Sequence, residues 1–335
     1  MTFTIRRGTN ISHWLSQSER RGAERAAFFT ADDVALIARM GFDHVRIPID
    51  EEQMWSEDGQ PEPEAFSLLD AALDWCEQYE LRAVVDLHIL RSHYFNDKGE
   101  IKLFADAAEA ERFAGLWRDL SARLNRRSND RVAYELLNEA VAEDPQDWNR
   151  VLGVAFRAVR ELEPERTIVL GSNRWNSALT FDDLEIPEDE RLILTFHYYN
   201  PMLVTHHQAH WWDGGGYDGP VQYPGRSVPV DALRDQPEEI RSAVEQSNRE
   251  AWNRERIERD FAQVLAARER TGHPLYCGEF GAYEKLPMPI RLAWYRDMID
   301  LFEKHNIAWA NWAYKGDFAI VTDGEPNEIV KEILR

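Results

Sequence analysis

A chain of 335 residues, 44% hydrophobic and 11% aromatic, is long enough to bury a large core within one α/β barrel. Its 60 acidic and 39 basic residues leave a formal net charge of −21. Such a surface repels phosphate backbones and anionic lipid, so nucleic acid and membrane are excluded as partners while a neutral polymer is not. No apolar run approaches membrane-spanning length. Residues 1–7 lack an apolar leader core, so the expected address is cytoplasmic, or secreted with the leader removed. Cys76 and Cys277 fall in a predicted helix and a predicted buried strand, which reads as small core residues rather than a bridge.

In chain order, a first strand is expected at 7–11. Thr30 then caps a helix over 31–40 that Gly41 ends. Strand two is 44–48. Leu68, Leu69, Ala72 and Trp75 keep a helical period through 64–80. Strand three is 83–88, a helix follows over 105–124, and strand four runs 132–139. A helix over 148–162 stops at Pro164. Strand five is 167–171, with a helical turn near 178–184, and strand six is 192–197.

A long irregular stretch, 199–236, is rich in Gly, Pro, His and Trp, and a charged helical region of one or two pieces covers 238–268. Strand seven at 275–278, a helix at 289–304, strand eight at 307–312 and a helix at 328–334 complete the chain. Eight strands alternating with helices, without a linker or low-complexity break, predict a single (β/α)8 TIM barrel, one catalytic domain over 1–335.

Alternate side chains of a barrel strand point inward. Counting back from the strand ends, one parity collects Arg46, Asp86 with His88, Glu135 with Glu139, His197 with Tyr199, Glu279 and Trp312. Charges in a barrel interior are costly unless paired, so this gathering marks a site. Asp86 and Glu135 lie one pleat deeper and read as buried partners of Arg46 or of a histidine; His88 reads equally as a core histidine or a site residue. Glu139 and Glu279 end their strands, where a barrel carries its chemistry. Paired carboxylates among aromatics suit glycoside hydrolysis: one protonates the leaving oxygen while the other attacks or activates water. An arginine beside one keeps it ionised and leaves the other free to hold a proton. Trp312, Trp175, Trp211, Trp212 and Tyr199 offer flat faces for sugar rings.

Several motifs carry a resemblance: Arg7-Gly8-Thr9-Asn10-Ile11, Gly41-Phe42-Asp43-His44-Val45-Arg46-Ile47-Pro48, Asp86-Leu87-His88, Glu135-Leu136-Leu137-Asn138-Glu139, His197-Tyr198-Tyr199-Asn200-Pro201, Gly278-Glu279-Phe280-Gly281-Ala282-Tyr283 and Trp312. The chain resembles the family 5 glycoside hydrolases of the clan A barrels, particularly bacterial endo-β-1,4-glucanases. The resemblance implies a β-linked oligo- or polysaccharide substrate, no metal and no organic cofactor. It implies Glu139 as general acid/base, Glu279 as nucleophile of a retaining double displacement, and Asn138 on the sugar 2-hydroxyl. Arg46 and Tyr199 would hold Glu279, His88 and His197 would contact the sugar before the cleaved bond, and Trp312 would lie under that ring. Asn10, Trp175 and Trp211 complete the expected binding set.

Two departures from the family pattern stand out. Ala140 replaces the usual proline after the acid/base glutamate, and Ile89 replaces a second histidine, a contact His93 is expected to supply if it is made. His206 and His210, four apart in Thr205-His206-His207-Gln208-Ala209-His210-Trp211-Trp212, also read as metal ligands with Asp213 nearby, although a cleft-rim loop for sugar is preferred. Readings left open are an exo-acting β-glucosidase, a β-1,3-glucanase or β-mannanase on the same machinery, a carbohydrate-binding barrel without catalysis, and a metal-dependent barrel hydrolase. Oligomeric state is not readable.

Overall fold

A computed structural model describes residues 2–97, 99–212, 216–234 and 236–335. Eight parallel strands close into a barrel in chain order: β1 (Arg7–Asn10), β2 (His44–Asp50), β3 (Arg82–Ile89), β4 (Val132–Glu135), β5 (Ile168–Gly171), β6 (Leu192–Tyr198), β7 (Leu275–Phe280) and β8 (Ala308–Asn311). Pairing of β8 with β1 shuts the ring. The fold is therefore the expected (β/α)8 barrel. Among the described residues no helix is long and apolar enough to cross a membrane.

Local chemistry explains most helix boundaries. Helix Ala31–Met40 starts where the Asp33 carboxylate accepts the Thr30 backbone N–H at 2.9 Å, and ends at Gly41, whose φ of 101° suits glycine. Asp106 and Asp144 cap helices Ala107–Leu124 and Pro145–Leu162. The charged region 238–268 forms three helices, not one or two: Glu238–Ser247, Arg254–Asp260 and Ala262–Thr271. Between the first two, Trp252 exchanges both backbone hydrogen bonds with Gly225, which takes that segment out of helix. Helix Gly22–Phe28 has no side-chain cap and escaped the periodicity reading.

Inside the barrel the side chains form two layers. Phe3, Val84, Ala133, Val169, Ile193, Tyr276 and Ala310 make an apolar plug. Above it, toward the C-terminal strand ends, sit Arg46, Asp86, Glu135 and Glu279, all buried. Strict alternation carries β3 from Val84 to Asp86 to His88. It fails on β7, where Tyr276 and Glu279 both face in although they are three positions apart. A register shift between Cys277 and Phe280 absorbs the extra residue at Gly278. A Cβ on Gly278 would come within 2.8 Å of the Thr195 hydroxyl, so glycine is the residue that fits.

At the opposite end Arg166 is fully buried. It pairs with Glu163 at 2.6 Å and donates to the carbonyls of Val132 (2.8 Å) and Arg127 (2.9 Å), tying β4 to the helix before it. Arg166→Leu leaves a buried carboxylate and two carbonyls unmet and is expected to cost about 3–5 kcal/mol. A urea midpoint unchanged from wild type would show that this anchor contributes nothing.

Candidate active site

The site is built on Arg46. From β2 its guanidinium donates to Glu135 through Nε (2.7 Å) and Nη2 (2.9 Å), and to Glu279 (2.7 Å) and Asn10 (3.0 Å) through Nη1. Nη2 also reaches Asn138 Oδ1 (2.9 Å) and lies 3.0 Å from Asp86. A planar fork of five donors is the side chain that can serve so many acceptors at once. Three carboxyls around one guanidinium cannot all carry charge in a dry interior. Burial pushes Asp86 and Glu135 each up to about 7, with Arg46 opposing the shift in both.

Glu279 and Glu139 complete the constellation, with one carboxyl oxygen of each lying within 4.8 Å of the other. Their surroundings differ. Glu279 accepts from Arg46 through one oxygen and from the Tyr199 hydroxyl through the other, at 2.9 Å. Burial raises its pKa, but Arg46 and the Tyr199 bond pull it back toward the ionised form. Glu139 has burial plus the charge of Glu279 acting on it and is held well above the ordinary carboxyl range. Glu139 therefore keeps its proton while Glu279 is the more readily charged.

Histidines and aromatics enclose the pair. His88 Nδ1 sits 2.7 Å from Asp86, and its ring stacks on Trp312 with centroids 5.6 Å apart and planes within 6°. Burial lowers His88 to about 3, so the ring is neutral. His197 Nδ1 lies 2.8 Å from Glu139, and this ring is likewise held neutral by burial. An open cleft of about 560 Å³ runs over these groups, walled by Trp175, Leu179, Tyr94, Trp211, Trp212 and Phe318. Trp175 and Trp211 keep 47% and 40% of their surface exposed, ring faces available to a ligand.

Several expected roles change. Asn10 and Arg46 were both placed in the substrate-binding set, Arg46 as a holder of Glu279; Arg46 does hold Glu279, but both residues are fully buried with their polar atoms spent on the protein and neither lines the cleft. They are scaffold. Asn138 lies just below the lining, with its amide nitrogen lacking a protein partner. Glu139 does not end a strand: β4 stops at Glu135, and a left-handed φ of 46° turns Glu139 toward the axis. Tyr199 and Trp312 also lie one residue past β6 and β8.

His93 does not supply the missing histidine contact, because it is buried edge-on against Phe104 and absent from the cleft. His206 is walled in by Tyr199, Trp212 and Phe318 while His210 is exposed, so the two do not form a ligand pair, and Asp213 lies outside the described residues. His13, Gln17, Asn96 and Asp317 line the cleft from irregular loops that carry no periodic signal.

Glu139, His197 and Glu279 have the spacing of a cation site. Their donor chemistry is wrong for one. Both Glu279 oxygens are taken by Arg46 and Tyr199, and the Arg46 charge would repel an incoming ion.

Asp86 and Glu135 titrate near pH 7 when folded but near ~4 in an unfolded chain. Between those values the folded state holds protons that the unfolded state has released, so stability falls as pH rises through that window. The urea midpoint is expected to drop between about pH 4 and pH 7, and to drop less in Glu135→Gln, which cannot ionise. Buried Asp50, also raised to about 7, contributes equally in both proteins. Parallel pH profiles for the two would refute the shared-proton account of the Arg46 cage.

Comparison with known proteins agrees with this geometry. Residues 8–317 match the family model described as cellulase (glycosyl hydrolase family 5). Endoglucanase C of Acetivibrio thermocellus is 33% identical over 327 residues, covering 96% of this chain and 94% of that protein. Cellodextrinase A of Ruminococcus flavefaciens is 29% identical over 306 residues, covering 91% and 84%. Among solved structures, Thermotoga maritima Cel5A bound to cellobiose superposes with a TM-score of 0.77 at 24% identity, over 98% of this chain and 96% of that one. A barrel with two glutamates facing each other at its C-terminal mouth, matched along nearly its whole length by that model, belongs to the cellulase family, glycosyl hydrolase family 5.

Proposed function

We propose that this chain is a retaining β-glycosidase acting endo on β-1,4-linked glucan, with Glu279 as nucleophile and Glu139 as general acid/base. The observation that carries the reading is the separation of the two carboxyls, whose nearest oxygens lie within 4.8 Å. Retaining enzymes hold the pair at about 5–5.5 Å, whereas inverting ones need roughly 6.5–9.5 Å to admit a water.

In the first step Glu279 attacks the anomeric carbon as Glu139 protonates the departing glycosidic oxygen. The glycosyl-enzyme ester forms and the C–O bond to the leaving sugar breaks. Water then enters and gives its proton to Glu139, and its oxygen displaces Glu279. The two environments suit these roles: Arg46 and Tyr199 favour the ionised nucleophile, and burial beside Glu279 favours the protonated acid. The amide nitrogen of Asn138, buried beside the cleft without a protein partner, is the donor this reading assigns to a sugar hydroxyl. Trp312 stacked on His88 offers the floor for the ring under attack.

Trp175 follows β5, the neighbour of β4, and stands with Trp211 as exposed aromatic surface along the open cleft. Aromatic surface spread along an open cleft, beyond the ring seated at Trp312, favours internal cleavage. Endoglucanase C and cellodextrinase A, the relatives named above, bear names that fit this substrate class. The Thermotoga enzyme also has a structure with mannotriose, which makes β-1,4-mannan the second substrate to try.

Glu279→Gln is expected to lower turnover of cellopentaose by on the order of 10⁴-fold or more, with cellobiose binding retained. Proton NMR of the wild-type reaction should show the β-anomer first. An α-anomer product, or a Gln variant with normal turnover, would overturn the assignment. Product lengths from cello- and manno-oligosaccharides read endo action and sugar preference in the same experiment.

A further inference from the structure

Among the described residues, the longest run of left-handed non-glycine backbone lies just past β5. Arg174, Trp175 and Asn176 are all left-handed, with φ of 55°, 61° and 50°. Left-handed backbone is disfavoured for a bulky residue such as tryptophan, and a run of three left-handed residues persists only where the surroundings over-determine it. Here they do. The Trp175 backbone N–H donates to Ala140 O (3.1 Å), and the Asn173 side chain accepts from Ala142 N–H and donates to Ala142 O, both at 2.9 Å. The strained turn therefore clamps the chain immediately after Glu139.

Its last residue reaches further. Asn176 is fully buried, and its Nδ2 lies 3.3 Å from His197 Nε2. Its Oδ1 rests against Gly171, where a Cβ would approach to 2.4 Å, so glycine there is what admits the amide. The far nitrogen of the same imidazole, Nδ1, is 2.8 Å from Glu139 Oε1.

A neutral imidazole has one N–H and one lone pair, and whichever nitrogen accepts a hydrogen bond leaves the proton to the other. An amide N–H aimed at Nε2 makes that atom the acceptor. We propose that Asn176 is a positioning residue that fixes His197 as its Nδ1–H tautomer, so that the ring donates to Glu139 whenever that carboxyl is ionised. No proton crosses the relay. His197 stays neutral, and its N–H stabilises Glu139 after the proton has gone to the leaving oxygen and while Glu139 waits to accept one from water. The proposal rests on the acid/base role of Glu139.

Asn176→Gly is the variant of choice, because glycine tolerates the left-handed φ. With a 2,4-dinitrophenyl cellobioside the leaving group needs no acid, so the dinitrophenolate burst is retained while steady turnover, set by base-assisted release, falls about 10–100-fold. Azide, which attacks the ester without base help, restores turnover. On cellopentaose the alkaline limb of kcat/KM moves to higher pH, since Glu139 without its N–H donor holds its proton more tightly. The other groups facing Glu139 and His197 are Arg46, Asp86, His88, His93, Glu135, Tyr199 and Glu279, and all are unchanged in the variant. Wild-type turnover, or a lost burst, or an unmoved alkaline limb would each overturn the proposal. Glu139→Ala runs in parallel. If azide fails to rescue that variant the acid/base assignment itself is wrong, and if azide rescues it but not Asn176→Gly only the Asn176 role falls.

Discussion

One buried guanidinium organises the chemistry of this barrel. Arg46 is surrounded by Asp86, Glu135 and Glu279, with Asn10 and Asn138 filling the remaining acceptor positions. An arginine with no exposed surface would be ruinous in a core without such partners, and the partners would be equally costly without it. The cage therefore stands or falls as a unit. Its excess of carboxyls over cations keeps protons inside the barrel near neutral pH. That excess is also what separates the two catalytic candidates: Glu279 is inside the reach of the guanidinium and Glu139 is outside it.

Rigid floor and strained rim divide the work. The floor is made of strand residues whose directions follow from the pleat, and it orients Glu279 through Arg46 and Tyr199. The rim is made of residues just beyond strand ends. Glu139, Trp175 and Asn176 all adopt left-handed backbone, a conformation that local propensity disfavours for glutamate and tryptophan and tolerates in asparagine. Contacts between the turns after β4 and β5 compensate that cost. A general acid must change its charge twice in each cycle, and holding it by a neutral ring rather than by a cation lets both states exist.

The aromatic residues sort in the same way. Trp14, Trp117, Trp148, Trp294 and Trp309 are buried among helices and strands, where their large apolar area is spent on packing. Trp312 caps the floor against His88, while Trp175 and Trp211 stand at the rim with exposed faces. Abundance of tryptophan alone therefore says little about sugar binding; position relative to the strand ends separates the two uses.

The alternation of strands and helices was legible in the sequence because burial on both faces of each strand demands apolar runs of a set length. The inward parity of each strand and the motifs around its C-terminal half were legible too, so Arg46, Glu139, Glu279, His88, His197 and Trp312 could be named as neighbours before any coordinates. Tertiary structure alone decided which of them touch the cleft. Asn10 and Arg46 lie beneath it, His93 is packed away from it, and the shift at Gly278 overrides a two-residue count along β7. It also decided that Asn176 meets His197, since no periodicity reports a side chain that a left-handed turn carries across to the next strand. Period and composition constrain what one element buries; they are silent on irregular backbone, whose course is set by contacts with residues remote in the chain.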